Sequence, residues 1–200
     1  MTTALLVGLV RMLCGAQARW HGLEPDARPR IYFANHTSNL DALVIWASLP
    51  RTLRALTRPV AARDYWQTGP LRRYLALRVF HAVLIERHKV SAHDNPITAM
   101  VEAMGDRHSL IIFPEGGRQA GHEPAPFKAG LFHLAKHRPD AELVPVYLEN
   151  LNRVLPKGEV LPVPMLCSLT LGSPIRLEDG EAKSDFLERA RLAVWNLRNS

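Results

Sequence analysis

Short apolar runs alternate with stretches of helical periodicity along most of this chain, and this alternation constrains the fold more than any other feature. The runs RIYFA, LIIF and ELVPVYL predict buried strands, because they are too short for helices and are bounded by turn residues. Further strands are predicted at residues 53–57, 79–85 and 166–171, and helices after residue 40 and at 70–77, 95–104, 127–137 and 184–197. We therefore predict a single α/β domain whose mixed, largely parallel sheet is flanked by helices.

The first 24 residues form an N-terminal segment of a different kind. Residues 4–16 are apolar except for Arg11 and the glycines, and this run is shorter than the roughly 20 residues of a membrane-spanning helix. We predict an amphipathic helix that lies on a bilayer with Arg11 near the lipid headgroups. A structural helix packed on the domain is the alternative. Prolines between residues 25 and 29 mark a turn, so residues 25–200 form the main domain.

The charge of the chain favours anionic partners. The net charge is +6 and the isoelectric point is about 9.7, which suits phosphates, anionic lipids or nucleic acid. Nucleic acid is not predicted, because the sequence has no zinc finger, no RNP-like aromatic run and no basic helix with interleaved aromatics. The nine histidines are scattered without an HExxH motif, so no metal site is predicted.

Cysteine usage indicates the compartment. Cys14 and Cys167 are the only cysteines and form no CxxC pair, so a reducing cytoplasm is expected. The residues Ala16-Gln17-Ala18 resemble a signal-peptide cleavage site. The positive charge lies inside the preceding apolar run, however, whereas a signal peptide carries it before that run.

A histidine and an aspartate directly follow the first apolar run, in NHTSNLD at residues 35–41. Residues five apart in one helix point about 140° away from each other, so His36 and Asp41 can meet only if the histidine precedes the helix. Ser38 to Asp41 matches a capping box, which predicts that the helix begins there. Asp41 would then orient the His36 imidazole, whose free nitrogen takes a proton from a hydroxyl. A simple helix cap beside a loop histidine is the alternative.

A glycine-rich turn, FPEGGR, follows the second apolar run. The N–H groups of Gly116 and Gly117 are suited to holding an anion, and Arg118 offers forked donors for a phosphate. Glu115 is a candidate to orient that arginine or to bind a substrate hydroxyl. Lys128 opens the next predicted helix and adds a second cation. An ordinary glycine turn with an exposed ion pair is the alternative.

Two further candidates are less specific. Arg87 ends the run VLIER, where its side chain faces either the same cleft or solvent. Pro145 interrupts the run LVPVYLE, and proline inside a strand indicates a sheet edge or a bulge. Such an irregularity either shapes a pocket wall or marks the edge of the sheet.

In this order, the four segments resemble the glycerolipid acyltransferase family, which includes the lysophosphatidate acyltransferases. NHTSNLD looks like the first block of that family, VLIER like the second, FPEGGR like the third, usually FPEGTR, and LVPVYLE like the fourth. The resemblance covers about residues 30–170 and implies a glycerol-3-phosphate acyltransferase-like α/β fold at a membrane face. Gly117 stands where the family usually has threonine, and Gln119 where it often has serine, which leaves the acceptor headgroup open.

The resemblance implies a role for each residue. His36 would be the general base and Asp41 its orienting carboxylate. Pro145 would help form the acyl or thioester pocket. The acceptor would be bound by Arg87, Glu115, Gly116, Gly117, Arg118 and Lys128.

The implied reaction is acyl transfer from acyl-CoA or acyl carrier protein to the free hydroxyl of a lysophosphatidate-like acceptor, which gives phosphatidate. No metal or cofactor beyond the thioester is expected. The expected location is the cytoplasmic face of a membrane, as a peripheral or monotopic protein. The alternatives are acyl transfer to another lysolipid or to an amino-acid lipid, and a non-catalytic module that binds anionic membranes.

Overall fold

The structure is a computed structural model that describes residues 2–15, 17–86, 95–119, 121, 123–154 and 166–199. Within these residues, seven strands form one sheet in the order β1-β7-β6-β2-β5-β3-β4. The strands are β1 Gln17–Trp20, β2 Arg30–Ala34, β3 Thr57–Ala62, β4 Val83–Ile85, β5 Ser109–Ile112, β6 Glu142–Glu149 and β7 Ser168–Leu171. Neighbouring strands are parallel except β6 and β7, which are antiparallel. The predicted α/β class with a mixed, largely parallel sheet is confirmed.

Helices cover both faces of the sheet. They are α1 Thr2–Cys14, α2 Asp41–Ser48, α3 Arg51–Leu56, α4 Arg63–Trp66, α5 Pro70–Tyr74, α6 Pro96–Met104, α7 Gly130–His137, α8 Leu151–Val154 and α9 Lys183–Asn196. A π-helical turn, Leu75–Val79, continues α5, and a 3-10 turn, Leu197–Asn199, follows α9. Side chains alternate across β2, so Tyr32 packs in the cluster that contains α1 and α2, and Phe33 in the cluster that contains α6, α7 and α9.

Two predicted strands differ from the observed structure. The sequence predicts a strand at residues 53–57, but α3 occupies Arg51–Leu56 and β3 begins only at Thr57. The predicted strand at 79–85 is also wrong in extent, because the π-helical turn continues through Val79 and only Val83–Ile85 pair with β3. In both segments the apolar run is too short for its periodicity to separate helix from strand.

The N-terminal segment is less helical than predicted over residues 1–24. Helix α1 ends at Cys14, and Gln17–Trp20 form an edge strand parallel to β7. One side of α1, including Val7 and Val10, is buried against the domain, as in the alternative interpretation. The other side stays exposed and apolar, with Leu5, Leu9 and Met12 exposed by 71%, 47% and 73%. No helix in the described ranges is long and apolar enough to cross a membrane.

Pro145 does not mark a sheet edge, because β6 lies in the interior of the sheet between β7 and β2. On the β7 side, the ladder begins only at Val146, and beyond the gap an isolated bridge joins Leu143 to Ile175. Pro145 lies in this gap, where its carbonyl accepts the Gly172 N–H at 2.9 Å. Proline has no N–H to return a bond to Gly172, and the regular ladder is interrupted at this position.

Candidate active site

The imidazole of His36 and the carboxylate of Asp41 are in direct contact. Nδ1 of His36 lies 2.8 Å from Oδ2 of Asp41, and the same oxygen accepts the backbone N–H groups of Thr37 at 2.6 Å and Ser38 at 2.8 Å. Asp41 is fully buried, whereas the His36 side chain is 22% exposed. Because an ionised carboxylate only accepts hydrogen bonds, Nδ1 carries the proton and Nε2 keeps its lone pair for a ligand.

The local geometry corrects the predicted capping box. His36 precedes the helix and Asp41 lies in its first turn, as the spacing required, but α2 begins at Asp41 and its N-cap, Leu40, makes no side-chain cap bond. The carboxylate reaches back to the Ser38 N–H as in a capping box. Ser38 Oγ instead accepts the N–H of Leu40 at 3.3 Å. The loop therefore uses the carboxylate to hold its own backbone and the histidine together.

Asn35 anchors this loop to the sheet, a role that the motif analysis missed. Its Nδ2 donates to the Leu148 carbonyl at 2.9 Å, and its Oδ1 accepts the Leu148 N–H at 2.8 Å. These two bonds continue the β2–β6 ladder beyond the last backbone pair, Ala34 and Val146. The side chain is buried, so the residue before His36 has a defined position. The sequence feature that could have indicated this role is a side-chain amide directly after an apolar run.

Glu115 clamps the backbone of the histidine loop. Its Oε1 accepts the His36 N–H at 2.7 Å and its Oε2 accepts the Ala125 N–H at 3.1 Å. The Gln119 N–H donates to the His36 carbonyl at 2.8 Å, so both backbone polar groups of His36 are held by the turn after β5. Burial raises the pKa of Glu115, while the two N–H groups act in the opposite direction.

This position corrects the prediction for Glu115. The side chain is 5% exposed and does not line the cavity described below. Both of its oxygens accept backbone N–H groups, and among the described residues no hydrogen bond or ion pair joins Glu115 to Arg118. It is a positioning residue for His36.

The ring of Phe113 supports the imidazole from one side. The two ring centroids are 4.2 Å apart and the ring planes differ by 19°, so the rings are stacked. With Asp41 on Nδ1 and Phe113 on one ring face, the orientation of the His36 ring is defined before any ligand binds. From the sequence, Phe113 is predicted only as the end of a strand.

Two predicted cations reach the same cavity as His36. Arg118 and Lys128 both line it, together with Gly116 and Gly117. In the part of the chain that the structure describes, neither cation pairs with a carboxylate. Lys128 lies two residues before α7, because that helix begins at Gly130 and not at residue 127 as predicted, and its N–H donates to the Pro114 carbonyl at 2.8 Å.

The first glycine of the turn is required by its conformation and its contacts. Gly116 has a φ of +73°, and a Cβ added there would lie 2.5 Å from Nζ of Lys128. The glycine therefore lets the lysine side chain cross closely over the turn. Gly117 differs, because an added Cβ would meet nothing within 4 Å.

The cavity is large and mostly apolar. It has a volume of about 920 Å³, and His36, Arg118 and Lys128 lie among its few polar lining residues. Its apolar walls include Leu43, Trp66, Phe80, Ile97, Met100 and Leu131. The arrangement is suited to a ligand that has one anionic end and one long apolar part.

Two predicted site residues do not join this group. Pro145 does not line the cavity, and its ring packs towards Gly172, where an added Cβ would lie 3.1 Å from the proline Cγ. Its role in an acyl or thioester pocket therefore stays a prediction. Arg87 lies outside the described residues. Within those residues, no cluster of three or more His, Cys, Asp or Glu side chains is arranged to hold a metal ion.

Comparisons to known proteins agree with this fold. The family model described as Acyltransferase matches residues 17–149, which is more than half of the chain and includes both the His36–Asp41 pair and the turn at residues 113–118. The chain belongs to this acyltransferase family.

Similar proteins carry the name of a particular enzyme. The 1-acyl-sn-glycerol-3-phosphate acyltransferase of Limnanthes alba is 32% identical over 167 residues, which cover 80% of this chain and 56% of the relative. That of Salmonella typhimurium is 34% identical over 113 residues, which cover 52% of this chain and 41% of the relative. The chain thus spans about half the length of these curated relatives.

A solved structure shares the fold. The crystal structure of the 1-acyl-sn-glycerophosphate acyltransferase from Thermotoga maritima matches with a TM-score of 0.71 at 18% identity, over 96% of this chain and 78% of that chain. At this identity the likeness concerns the fold alone. It supports the sheet order and the placement of the helices described above.

Proposed function

We propose that this chain transfers an acyl group from a thioester to the free hydroxyl of a lysophosphatidate-like acceptor and forms phosphatidate. The observation that carries the proposal is the 2.8 Å contact between His36 Nδ1 and Asp41 Oδ2 at the edge of a cavity that also holds two cations. The names of the similar proteins support the same acceptor class.

The proposed chemistry needs one general base and no acyl-enzyme. Nε2 of His36 takes the proton of the acceptor hydroxyl as its oxygen attacks the thioester carbonyl. The C–S bond then breaks, and the imidazolium returns the proton to the leaving thiolate. Asp41 stabilises the imidazolium between these steps. General base catalysis of this kind contributes about 10²–10⁴-fold to the rate. The sequence has no GxSxG nucleophile elbow, which agrees with direct transfer.

In this proposal, the two cations position the acceptor relative to the thioester donor. Arg118 and Lys128 bind the acceptor phosphate with charge-assisted hydrogen bonds, and the N–H groups of the glycine turn add to them. The apolar walls take the acyl chain. Holding both substrates in this way contributes to the rate by removing the entropy of their encounter. The donor in this proposal is acyl-CoA or acyl carrier protein, and neither a metal nor a cofactor takes part.

The proposed location is the cytoplasmic face of a membrane, with the protein bound peripherally. The exposed apolar side of α1, with Leu5, Leu9 and Met12, supports this proposal. Arg11 on the same helix is positively charged and suits anionic headgroups. Leu71 in α5 and Leu77 in the π-helical turn that follows it are also exposed, and Leu75 between them lines the active-site cavity. A membrane-bound acceptor can therefore approach the cavity along an apolar surface.

The test is a His36→Ala variant assayed with lysophosphatidate and acyl-CoA, with products measured by mass spectrometry. His21→Ala is the matched control, because His21 also precedes an aspartate by five residues. That aspartate, Asp26, is paired with Arg28 and Arg30 instead. We expect His36→Ala to lose about 10²–10⁴-fold in kcat and His21→Ala to keep it. Equal activity of the two variants contradicts the base assignment, and vesicle binding without any product in the wild type favours a non-catalytic membrane module.

A second acceptor class is kept open by Gly117. The space next to this glycine, where the family usually has threonine, leaves room for a larger headgroup. Comparing a lysolipid that ends in a phosphate monoester with one that carries a phosphodiester headgroup or an amino-acid headgroup separates the two classes. Arg118→Ala should raise KM for the monoester acceptor more than for a neutral monoacylglycerol.

A further inference from the structure

A second cavity lies apart from the active site. It has a volume of about 560 Å³ and lies between α1 and the corner that joins α2 to α3. None of its lining residues lines the active-site cavity. Ser48 and Leu49, at the C-terminal end of α2, form part of its wall, whereas His36 precedes the other end of that helix. A ligand here would not be in contact with the reacting groups.

Three arginines line this cavity, and no aspartate or glutamate does so among the described residues. They are Arg11, Arg51 and Arg54. Within the same residues none of the three pairs with a carboxylate, whereas arginines elsewhere do, as Arg138 with Asp140 at 2.7 Å. Like charges that converge without a counter-charge repel one another, so an anion bound between them is stabilised.

Arg54 is held in position by neutral groups. Its Nη2 donates to the Leu49 carbonyl at 2.8 Å, and its guanidinium lies 5.5 Å from the ring centroid of Trp46. Its buried Nε has no partner among the described residues. Burial lowers the pKa of Arg54, and the charges of Arg11 and Arg51 lower it further, because nothing negative compensates them. The guanidinium is thus preorganised without an internal counter-ion.

The surroundings favour phosphate among anions. A guanidinium presents a planar fork of donors that matches phosphate oxygens. At 100° per residue, the exposed side of α1 with Leu5, Leu9 and Met12 is adjacent to the side with Ala4 and Arg11 that faces the cavity. An apolar surface next to a phosphate site is the combination that a phospholipid presents in its own headgroup and acyl chains.

We propose that Arg11, Arg51 and Arg54 form a phosphate-binding site separate from the acyl-transfer site. Its ligand is either the headgroup phosphate of an anionic phospholipid in the bilayer or a free phosphate ion. The site binds without taking part in acyl transfer, so it does not depend on the proposed reaction.

The test uses the full chain and an Arg11→Gln, Arg51→Gln double variant, because both side chains are exposed and their replacement leaves the core intact. Arg107→Gln, an exposed arginine beyond α6, is the control for charge loss. Inorganic phosphate is titrated against chloride at equal ionic strength, with tryptophan fluorescence as the readout, since Trp20 lines the cavity. Flotation with phosphatidylcholine vesicles, with and without phosphatidylglycerol, is the second arm. His36→Ala is included and should bind as the wild type does.

We expect the double variant to lose about tenfold or more in affinity and Arg107→Gln to lose less than about twofold, because charge-assisted bonds to phosphate are removed only in the former. If the double variant loses affinity both for inorganic phosphate and for vesicles, the ligand is a lipid headgroup. If it loses affinity for inorganic phosphate alone, the ligand is the free ion. The proposal is overturned if the wild type binds neither probe, or if the double variant and Arg107→Gln bind equally.

Discussion

Oε1 of Glu115 accepts the backbone N–H of His36 at 2.7 Å, although the two residues are 79 positions apart in the sequence. The turn after β5 therefore positions the imidazole that Asp41 orients from within the same loop. Neighbouring parallel strands β2 and β5 make this possible, because both end at the same edge of the sheet.

Replacement of Asp41 by Asn should reduce kcat by about 10²–10⁴-fold. The amide is nearly isosteric but cannot stabilise the imidazolium, and its NH₂ group competes with the N–H groups of Thr37 and Ser38. The measurement is steady-state kinetics with saturating donor, with circular dichroism to verify the fold. Activity within twofold of the wild type would show that the carboxylate does not serve His36.

Replacement of Glu115 by Gln should lower both stability and kcat, since one of the two backbone N–H groups then faces an NH₂ donor. The loss of stability is about 1–3 kcal/mol. The readouts are urea denaturation and the kcat of the folded variant, with Glu149→Gln on the exposed end of β6 as the control. A variant with normal stability and normal kcat would show that the Glu115 carboxylate does not hold the backbone of the His36 loop.

The same variant should change the pH dependence of stability. The folded-state pKa of Glu115 is raised, chiefly by burial, so the native state binds this proton more tightly than the unfolded state. Its contribution therefore favours the native state most below the ordinary glutamate pKa of about 4.3 and declines as the pH rises through the folded pKa. The free energy of unfolding of the wild type, minus that of Glu115→Gln, should be larger at acidic pH than at pH 8. A difference that is constant or that grows with pH contradicts the raised pKa.

Gly116→Ala and Gly117→Ala form a matched pair. Gly116 has a φ of +73° and Lys128 lies over it, so alanine there is strained and displaces the lysine. The expected cost is about 1–2 kcal/mol of stability, with a raised KM for the acceptor. Gly117→Ala meets open space and should leave thermal stability nearly unchanged. Thermal unfolding and acceptor titrations check both, and equal effects of the two substitutions would rule out the Lys128 contact as the cause.

Asn35→Asp should destabilise the protein by about 1–3 kcal/mol, because a buried carboxylate cannot donate to the Leu148 carbonyl. Asn196→Asp, at the exposed end of α9, is the control and should change stability little. Chemical denaturation measures both variants. If Asn35→Asp is as stable as its control, the paired amide does not anchor the loop.

The sequence by itself determined those elements that depend on residues close to one another along the chain. The apolar runs identified β2, β5 and β6, and the spacing of His36 and Asp41 required a histidine just before a helix, which the structure shows. These features depend on periodicity and on neighbours a few residues apart.

Only the tertiary structure decided what joins distant segments. Three features depend on which strands are neighbours in the sheet. They are the hydrogen bonds of the Asn35 amide to β6, the hydrogen bond of the Glu115 carboxylate to the His36 backbone, and the interior position of Pro145. The alternation of side chains along a strand and the burial of that strand can be predicted from its own residues. Its neighbours follow from the packing of the whole chain, because hydrogen bonds between strands involve backbone groups that every residue type except proline shares.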